Sequence, residues 1–125
     1  MAEHGVVLMI EDDQAIADLY RGRLSKDGYD VTVASDGEEG LELARSMVPS
    51  LIYLDLRLPK LSGFDVLRQL RSTDLLAGTP VVILTNYDAA EVRSTGLELG
   101  AQDVLLKSET TPAQLAGLTA QLVDC

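Results

Sequence analysis

Short apolar runs alternate with longer stretches of helical periodicity along the whole chain. Five runs of four or five mainly apolar residues predict β-strands at residues 6–10, 30–34, 51–54, 81–84 and 103–106. Between and after these runs, apolar residues recur at spacings of three and four. This spacing predicts helices over residues 14–26, 35–48, 64–71 and 88–99, and from residue 111 onwards. The pattern therefore predicts five strands that alternate with five helices, joined by short connections.

Three of the predicted helices carry further information. The first is expected to bury one apolar stripe, formed by Ile16, Leu19, Tyr20 and Leu24. The fourth contains Gly96, and glycine weakens a helix interior by about 1 kcal/mol relative to alanine, so we expect this helix to be the least rigid. The fifth has a favourable start, with Thr111 at the cap and Pro112 at the first helical position.

Strands that alternate with helices form right-handed crossovers, so the sheet is expected to be parallel and covered on both faces. In the second run, Val31 and Val33 alternate with polar residues, which is typical of an edge strand. These features predict the flavodoxin-like fold, an α/β architecture with a doubly wound five-stranded sheet of order 2-1-3-4-5 and five helices on both faces. A chain of 125 residues suffices for one core but not two, so residues 1–125 are expected to form a single domain.

The composition excludes several classes of protein. The net charge of −10, from 20 acidic and 10 basic residues, argues against direct nucleic-acid binding by this domain, because neutralising phosphates requires Lys and Arg. No apolar run is long enough to cross a bilayer, and the N-terminus lacks a signal-peptide pattern, so we expect a soluble cytoplasmic domain without membrane contact. The single cysteine, Cys125, cannot close an internal disulfide, and the single histidine, His4, is given no role.

Polar residues follow four of the five predicted strands at the point where each strand ends. Glu11 and Asp12 follow the first strand, Asp55 the third, Thr85 the fourth and Lys107 the fifth. Because the carboxyl ends of parallel strands share one edge of the sheet, we expect these side chains to meet near the switch point between the first and third strands. Each residue alone has an ordinary explanation as a cap, a turn or a surface residue, but their joint occurrence favours a site.

The residue types at these strand ends indicate phosphoryl chemistry. Carboxylates that are packed together repel one another, and oxygen ligands of this kind suit Mg²⁺ or Mn²⁺ rather than zinc. One carboxylate then stays free to attack phosphorus and form an aspartyl phosphate, and Asp55 is the candidate. The Thr85 hydroxyl and the Lys107 ammonium can each contact one phosphoryl oxygen, which is the charge stabilisation that such a transfer needs.

Four motifs occur in order at these strand ends. They are the acid pair Glu11-Asp12 followed by Asp13, the pattern D-x-x-x-P-x-x-x-G over residues 55–63, the pair Leu84-Thr85, and G-A-x-D with a final lysine over residues 100–107. With these motifs the sequence resembles the receiver domain of two-component response regulators over about residues 6–123. The resemblance implies that Asp55 accepts a phosphoryl group from a phosphohistidine on a histidine kinase or a histidine phosphotransfer protein.

The same resemblance implies the metal ligands and the response. Asp12 and Asp55 would bind Mg²⁺ directly, Glu11 partly through water and Arg57 through its backbone carbonyl. Phosphorylation would draw in the threonine and lysine at the ends of the fourth and fifth strands, and would shift the surface formed by the fourth helix, fifth strand and fifth helix. This describes a signalling phosphoacceptor rather than an enzyme, and a phosphorylation-dependent dimer is compatible with it. The sequence does not identify the downstream effector or an attached output domain.

Three features depart from the family pattern: Val104, Ser108 after the lysine, and the pair Asn86-Tyr87 after the threonine. Val104 stands where the family usually has an aromatic residue, and Ser108 stands where a proline usually follows the lysine, so the bond before Ser108 is expected to be trans. Asn86 stands where a small residue is common and is expected to narrow access to the phosphoryl group. Tyr87 either replaces the missing aromatic residue or packs at the surface. These departures concern the switch mechanism rather than the phosphorylation itself.

Three other functions fit the sequence less well. An aspartate-nucleophile phosphatase would need a second acid two residues after the nucleophile, but Arg57 occupies that position. A flavin-binding electron carrier would need a loop rich in Gly, Ser or Thr after the first strand, but three acids stand there and would repel its phosphate. A receiver-like scaffold used only for binding would tend to lose the residue set, which is complete here.

Overall fold

The computed structural model describes residues 5–123, which form one parallel sheet flanked by helices; His4 and Cys125 lie outside the described residues. The strands are β1 Val6–Ile10, β2 Asp30–Ala34, β3 Leu51–Asp55, β4 Val81–Thr85 and β5 Asp103–Leu106. The helices are α1 Gln14–Lys26, α2 Gly37–Met47, α3 Gly63–Arg71, α4 Ala90–Glu98 and α5 Pro112–Val123. Two short 3-10 turns, Asp74–Leu76 and Lys107–Glu109, complete the set.

The strand order is β2-β1-β3-β4-β5 and all neighbouring strands are parallel, which confirms the predicted flavodoxin-like arrangement. Strand β2 lies at one edge, as its alternating pattern predicted. The register pairs Ile10 with Leu54, Asp55 with Leu84, and Thr85 with Leu106. The ends of neighbouring strands from β1 to β5 therefore lie within one residue of each other, so the residues that follow them lie along one edge of the sheet.

The core consists of two apolar layers, one on each face of the sheet. Along β1 the side chains alternate, so that Leu8 and Ile10 join one layer while Val7 and Met9 join the other. Helices α2 and α3 cover the first layer, and α1 and α5 cover the second. Strands β3 and β4 are buried along their whole length, which explains their unbroken apolar sequences.

Helix α1 corrects one prediction about the core. Leu19 was expected to be buried, but its side chain is 58% exposed, whereas Ala17 is fully buried. The buried face of α1 is formed by Ala17, Tyr20 and Leu24, at spacings of three and four. Leu19 lies beside this face. The apolar stripe predicted from the sequence is wider than the face that α1 packs against the sheet.

Helix α4 spans Ala90–Glu98, somewhat shorter than predicted, and no side chain caps its start at Ala89. Gly96 is its one buried residue. A Cβ atom at this glycine would lie 2.8 Å from Cδ1 of Ile83 and 3.1 Å from Cγ2 of Val104, so the missing side chain lets the helix approach the sheet. The greater mobility of α4 stays a prediction. Within residues 5–123, no helix combines the length and the apolar character of a membrane span.

Val48 closes helix α2 in a left-handed conformation, with φ 46° and ψ 69°. A β-branched residue is strained there, so we expect Val48→Gly to raise the free energy of unfolding by about 1 kcal/mol, or the midpoint by about 4 °C. Thermal unfolding measures the change. Val92→Gly, inside α4, is the control, because glycine in a helix interior should lower the midpoint. A midpoint for Val48→Gly equal to or below that of the unsubstituted protein would contradict this account.

Candidate functional site

A cleft of about 390 Å³ opens at the carboxyl edge of the sheet. It is lined by Glu11, Asp12, Asp13, Ile16, Asp55, Arg57, Thr85, Asn86, Tyr87 and Lys107. All the residues predicted from the strand ends are in this group. Glu11, Asp55 and Thr85 are buried, whereas Asp12 and Arg57 are exposed at the mouth of the cleft. The sheet therefore brings the predicted residues together in one place.

The backbone after β1 separates the roles of its three acids. The N–H of Glu11 donates to the carbonyl of Ala34 on β2, which continues the sheet pairing by one residue. Asp13 caps helix α1, since its carboxylate accepts hydrogen bonds from the backbone N–H groups of Ala15 and Ile16. Asp13 is thus occupied by the helix start, and Asp12 is left facing the cleft.

Three carboxylates meet in the cleft. Glu11, Asp12 and Asp55 each offer an oxygen atom, and these oxygens all lie within 4.8 Å of one another. Burial raises the pKa of Glu11 to about 7, and the charge of Asp55 adds to that increase, while Lys107 and the N–H of Asp13 oppose it. Three oxygen donors on one side of an open cleft are the donor set that a hard divalent cation prefers.

Lys107 places its ammonium group between two of these acids. Its Nζ atom lies 2.6 Å from Oε1 of Glu11 and 3.2 Å from Oδ2 of Asp55, and its side chain is only 7% exposed. Oε1 of Glu11 is buried and has no partner with hydrogen-bond geometry, so the contact with Lys107 is an ion pair. Burial opposes the ammonium form, but Glu11 and Asp55 outweigh it and raise the pKa of Lys107. This lysine is therefore charged when it faces Asp55.

Thr85 and Tyr87 form the opposite wall of the cleft. The Thr85 hydroxyl accepts a hydrogen bond of 3.0 Å from the backbone N–H of Tyr87. Tyr87 is 42% exposed, and the Arg57 guanidinium lies over its ring, 4.3 Å from the ring centre, in a cation–π contact. Tyr87 therefore lies at the surface, and its role as a replacement for the missing aromatic residue stays a prediction. Val104 is mostly buried in the core, and Asn86 is exposed at the cleft.

The loop after Lys107 has a shape of its own. Residues Lys107–Glu109 form a 3-10 turn, and the peptide bond before Ser108 is trans, as its sequence predicted. The Tyr20 hydroxyl on α1 donates a hydrogen bond of 2.7 Å to the carbonyl of Thr110 in this loop. Tyr20 was predicted only as a core residue. No local pattern in the sequence could have revealed this bond, because its partners are 90 positions apart.

Known proteins resemble this chain in both sequence and fold. The model of the family described as "Response regulator receiver domain" matches residues 7–118. The uncharacterized transcriptional regulatory protein YkoG of Bacillus subtilis is 42% identical over 120 residues, which cover 96% of this chain and 52% of that protein. The alkaline phosphatase synthesis transcriptional regulatory protein PhoP of the same species is 44% identical over 101 residues, covering 81% of this chain and 41% of PhoP. The chain thus spans about half the length of these curated relatives.

Two solved structures illustrate the likeness in three dimensions. The receiver domain of the Francisella response regulator 1452 superposes with a TM-score of 0.89 at 32% identity, covering 96% of this chain and 97% of that one. The BeF3-activated N-terminal receiver domain of RstA from Klebsiella pneumoniae gives 0.87 at 31% identity, with 96% and 99% covered. The chain therefore belongs to the response regulator receiver domains, the phosphoacceptor modules of two-component signalling.

Proposed function

We propose that Asp55 is the phosphoacceptor of this domain and takes its phosphoryl group from a phosphohistidine on a histidine kinase or a histidine phosphotransfer protein. The observation that carries this proposal is the contact of 3.2 Å between Oδ2 of Asp55 and the ammonium of Lys107, beside two further carboxylates. A carboxylate in this position is already aligned with a positive charge. The same cation can neutralise the oxygens of an incoming phosphoryl group.

The acids in the cleft fit a resident Mg²⁺ or Mn²⁺ ion. Asp12 and Asp55 would bind it directly, Glu11 partly through water and Arg57 through its backbone carbonyl. The fit rests on the three oxygen donors of Glu11, Asp12 and Asp55, which all lie within 4.8 Å of one another. When bound, such an ion supplies positive charge for the phosphoryl oxygens and relieves the repulsion among the carboxylates.

Asp55, Lys107 and Thr85 have different roles in the proposed phosphoryl transfer. A carboxylate oxygen of Asp55 attacks phosphorus, an O–P bond forms, and the P–N bond of the phosphohistidine breaks with the electron pair going to the imidazole nitrogen. The Lys107 ammonium and the Thr85 hydroxyl contact the phosphoryl oxygens and stabilise their charge. The phosphoryl group stays on the protein until water removes it, so the domain acts as a signalling phosphoacceptor rather than as an enzyme with turnover.

The phosphorylated state would be read at the surface formed by α4, β5 and α5. Thr85 and Lys107 would move toward the phosphoryl group, and the bond between Thr85 and the N–H of Tyr87 links this movement to the start of the loop before α4. A downstream effector, an output domain or a second copy of the domain would respond to that change. In this proposal residues 1–125 are one receiver domain in the cytoplasm, with no direct nucleic-acid binding of their own.

The direct test uses a small acyl phosphate with Mg²⁺ and intact-mass spectrometry. The unsubstituted protein is expected to gain the mass of one phosphoryl group, because Asp55 is the nucleophile, whereas Asp55→Asn should gain none. Asp65→Asn removes an exposed carboxylate at the start of α3 and should leave the gain unchanged. Absence of the gain in the unsubstituted protein, or its persistence in Asp55→Asn, would disprove the assignment.

A further inference from the structure

The loop between β5 and α5 carries Lys107 but has few contacts of its own. Ser108 and Glu109 are exposed, and no side chain caps the 3-10 turn that they form with Lys107. Ser108 also leaves the backbone without the restriction that a proline would impose. Strand β5 holds the Lys107 backbone at the near end, where Leu106 pairs with Thr85, and contacts at the far end of the loop add to that hold.

Tyr20 provides such a contact. This residue is 3% exposed, and its hydroxyl donates a hydrogen bond of 2.7 Å to the carbonyl of Thr110. The Thr110 hydroxyl in turn donates a bond of 2.8 Å to the carbonyl of Leu106, at the end of β5. The backbone of loop residues 108–111 also has hydrogen bonds with α5. Among the described residues 5–123, the bond from Tyr20 is the one hydrogen bond that joins this backbone to a different helix.

Helix α1 is itself fixed to the acidic side of the cleft. It begins directly after Glu11 and Asp12, and Asp13 caps it. Lys107 lies 2.6 Å from Glu11 and 3.2 Å from Asp55, so it bridges the end of β1 and the end of β3. The bond from Tyr20 thus joins the loop that carries the lysine to the helix that follows the acids facing it.

The protonation state of Tyr20 suits this role. Burial raises the pKa of Tyr20 above its usual value of about 10, while the charge of Lys107 lowers it and that of Glu11 raises it. The hydroxyl is therefore a proton donor at neutral pH, and the Thr110 carbonyl is an acceptor. The two groups match, and neither has to change its protonation state for the bond to persist.

We propose that Tyr20 is a positioning residue for Lys107, which it holds in register with Asp55 by anchoring the Thr110 carbonyl to helix α1. The inference rests on the proposed function of Asp55. A contact of 3.2 Å between an ammonium and a carboxylate weakens when the backbone behind it moves, and catalytic contacts need their geometry to be held closely. The role belongs to the hydroxyl, since the ring packs in the core and a phenylalanine would keep that packing.

Tyr20→Phe tests the proposal, with two measurements on each protein. At saturating Mg²⁺, its phosphorylation by a small acyl phosphate is expected to be about threefold to tenfold slower than in the unsubstituted protein. Its Mg²⁺ affinity is expected to stay within about twofold, because the proposed ligands on the ends of β1 and β3 keep their positions. A general loosening of the cleft would lower both the phosphorylation rate and the Mg²⁺ affinity. A slower rate with unchanged Mg²⁺ affinity therefore distinguishes positioning of Lys107 from a merely structural role.

Tyr53→Phe is the matched control. Tyr53 is fully buried on the same face of the sheet, and its hydroxyl contacts Thr119 at 2.6 Å, away from the loop of Lys107. The Tyr53→Phe substitution should lower the thermal midpoint by about as much as Tyr20→Phe does, and it should leave the phosphorylation rate unchanged. The proposal is overturned if Tyr20→Phe leaves the rate unchanged, weakens Mg²⁺ binding in parallel, or slows phosphorylation no more than Tyr53→Phe does.

A Lys107→Ala background adds a further criterion. There, Tyr20→Phe should change the rate by less than about twofold, and an undiminished effect would contradict action through the lysine. If Lys107→Ala reacts too slowly to measure, the proposal is decided by the effects of Tyr20→Phe on the phosphorylation rate and on the Mg²⁺ affinity. Failure of the proposed function is distinguishable, because the unsubstituted protein would then gain no phosphoryl group at all.

Discussion

Mg²⁺ is expected to raise the thermal midpoint of this domain, and Asp12→Ala is expected to remove most of that increase. In the cleft the carboxyl groups of Glu11, Asp12 and Asp55 cluster within 4.8 Å of one another, and the ammonium of Lys107 contacts two of them. A cation that binds the folded state alone stabilises it by RT ln(1 + [Mg²⁺]/Kd), which is about 2.7 kcal/mol at one hundred times the Kd. For a domain of this size the midpoint should rise by about 10 °C.

Asp12 is the informative residue to change, because it is exposed and has no structural duty comparable to the helix cap of Asp13. In the absence of Mg²⁺, Asp12→Ala should be as stable as the unsubstituted protein or slightly more so, since one repelling charge is gone. Glu42→Ala, an exposed acid on α2, is the control that should keep the full increase. Thermal unfolding across a Mg²⁺ titration measures all three proteins. A full increase in Asp12→Ala would exclude Asp12 from the metal site.

The sheet and its functional edge could be predicted because they depend on local patterns. A strand buried on both faces needs an unbroken apolar run, and β3 and β4 show one. The polar residue after each run marks the strand end, and parallel order places all such ends on one edge. Asp55 and Thr85 follow these rules, so their position follows from the sequence alone.

The contacts that hold the edge together could not be predicted in this way. The ion pair between Lys107 and Glu11 and the bond from Tyr20 to Thr110 join residues that are far apart in the sequence, and their geometry depends on the packing of whole elements. The wrong prediction for Leu19 has a related cause. Helical spacing shows which side of α1 is apolar, but it does not show how wide the buried part of that side is. The turn Asp74–Leu76, which buries Leu76, is too short to show any periodicity.

The geometry also bears on the functions considered beside phosphoacceptance. The residue two positions after Asp55 is Arg57, and its guanidinium lies over the ring of Tyr87. The position where a phosphatase would hold its acid is therefore occupied by a cation engaged elsewhere. A flavin phosphate would meet Glu11 and Asp12 at the end of β1, where both acids line the cleft. Both alternatives conflict with the charges of this cleft, whereas the proposed phosphoryl transfer onto Asp55 would use them.

Gly63→Ala is expected to lower the free energy of unfolding by about 3 kcal/mol or more. Gly63 begins α3, and its N–H donates to the carbonyl of Leu56 at 2.9 Å, which folds the loop after β3 back under Asp55. A Cβ atom there would press on the carbonyl oxygen of Asp55 and lie 2.7 Å from Cα of Leu56. These are backbone atoms, which cannot rotate away as the end of a flexible side chain can. Denaturant unfolding measures the loss.

The same substitution should also slow phosphorylation of the protein that remains folded, because the clash falls on the backbone of Asp55, the proposed nucleophile. A displacement of Asp55 by a few tenths of an ångström would misalign it with Lys107, and we expect a loss of about tenfold or more in rate. Gly117→Ala in α5 is the control, since a Cβ atom there meets nothing within 4 Å. It should raise the free energy of unfolding by about 0.5–1 kcal/mol and leave the rate unchanged. Equal stability of Gly63→Ala and the unsubstituted protein would show that the loop after β3 can move aside, and that Asp55 is not held by it.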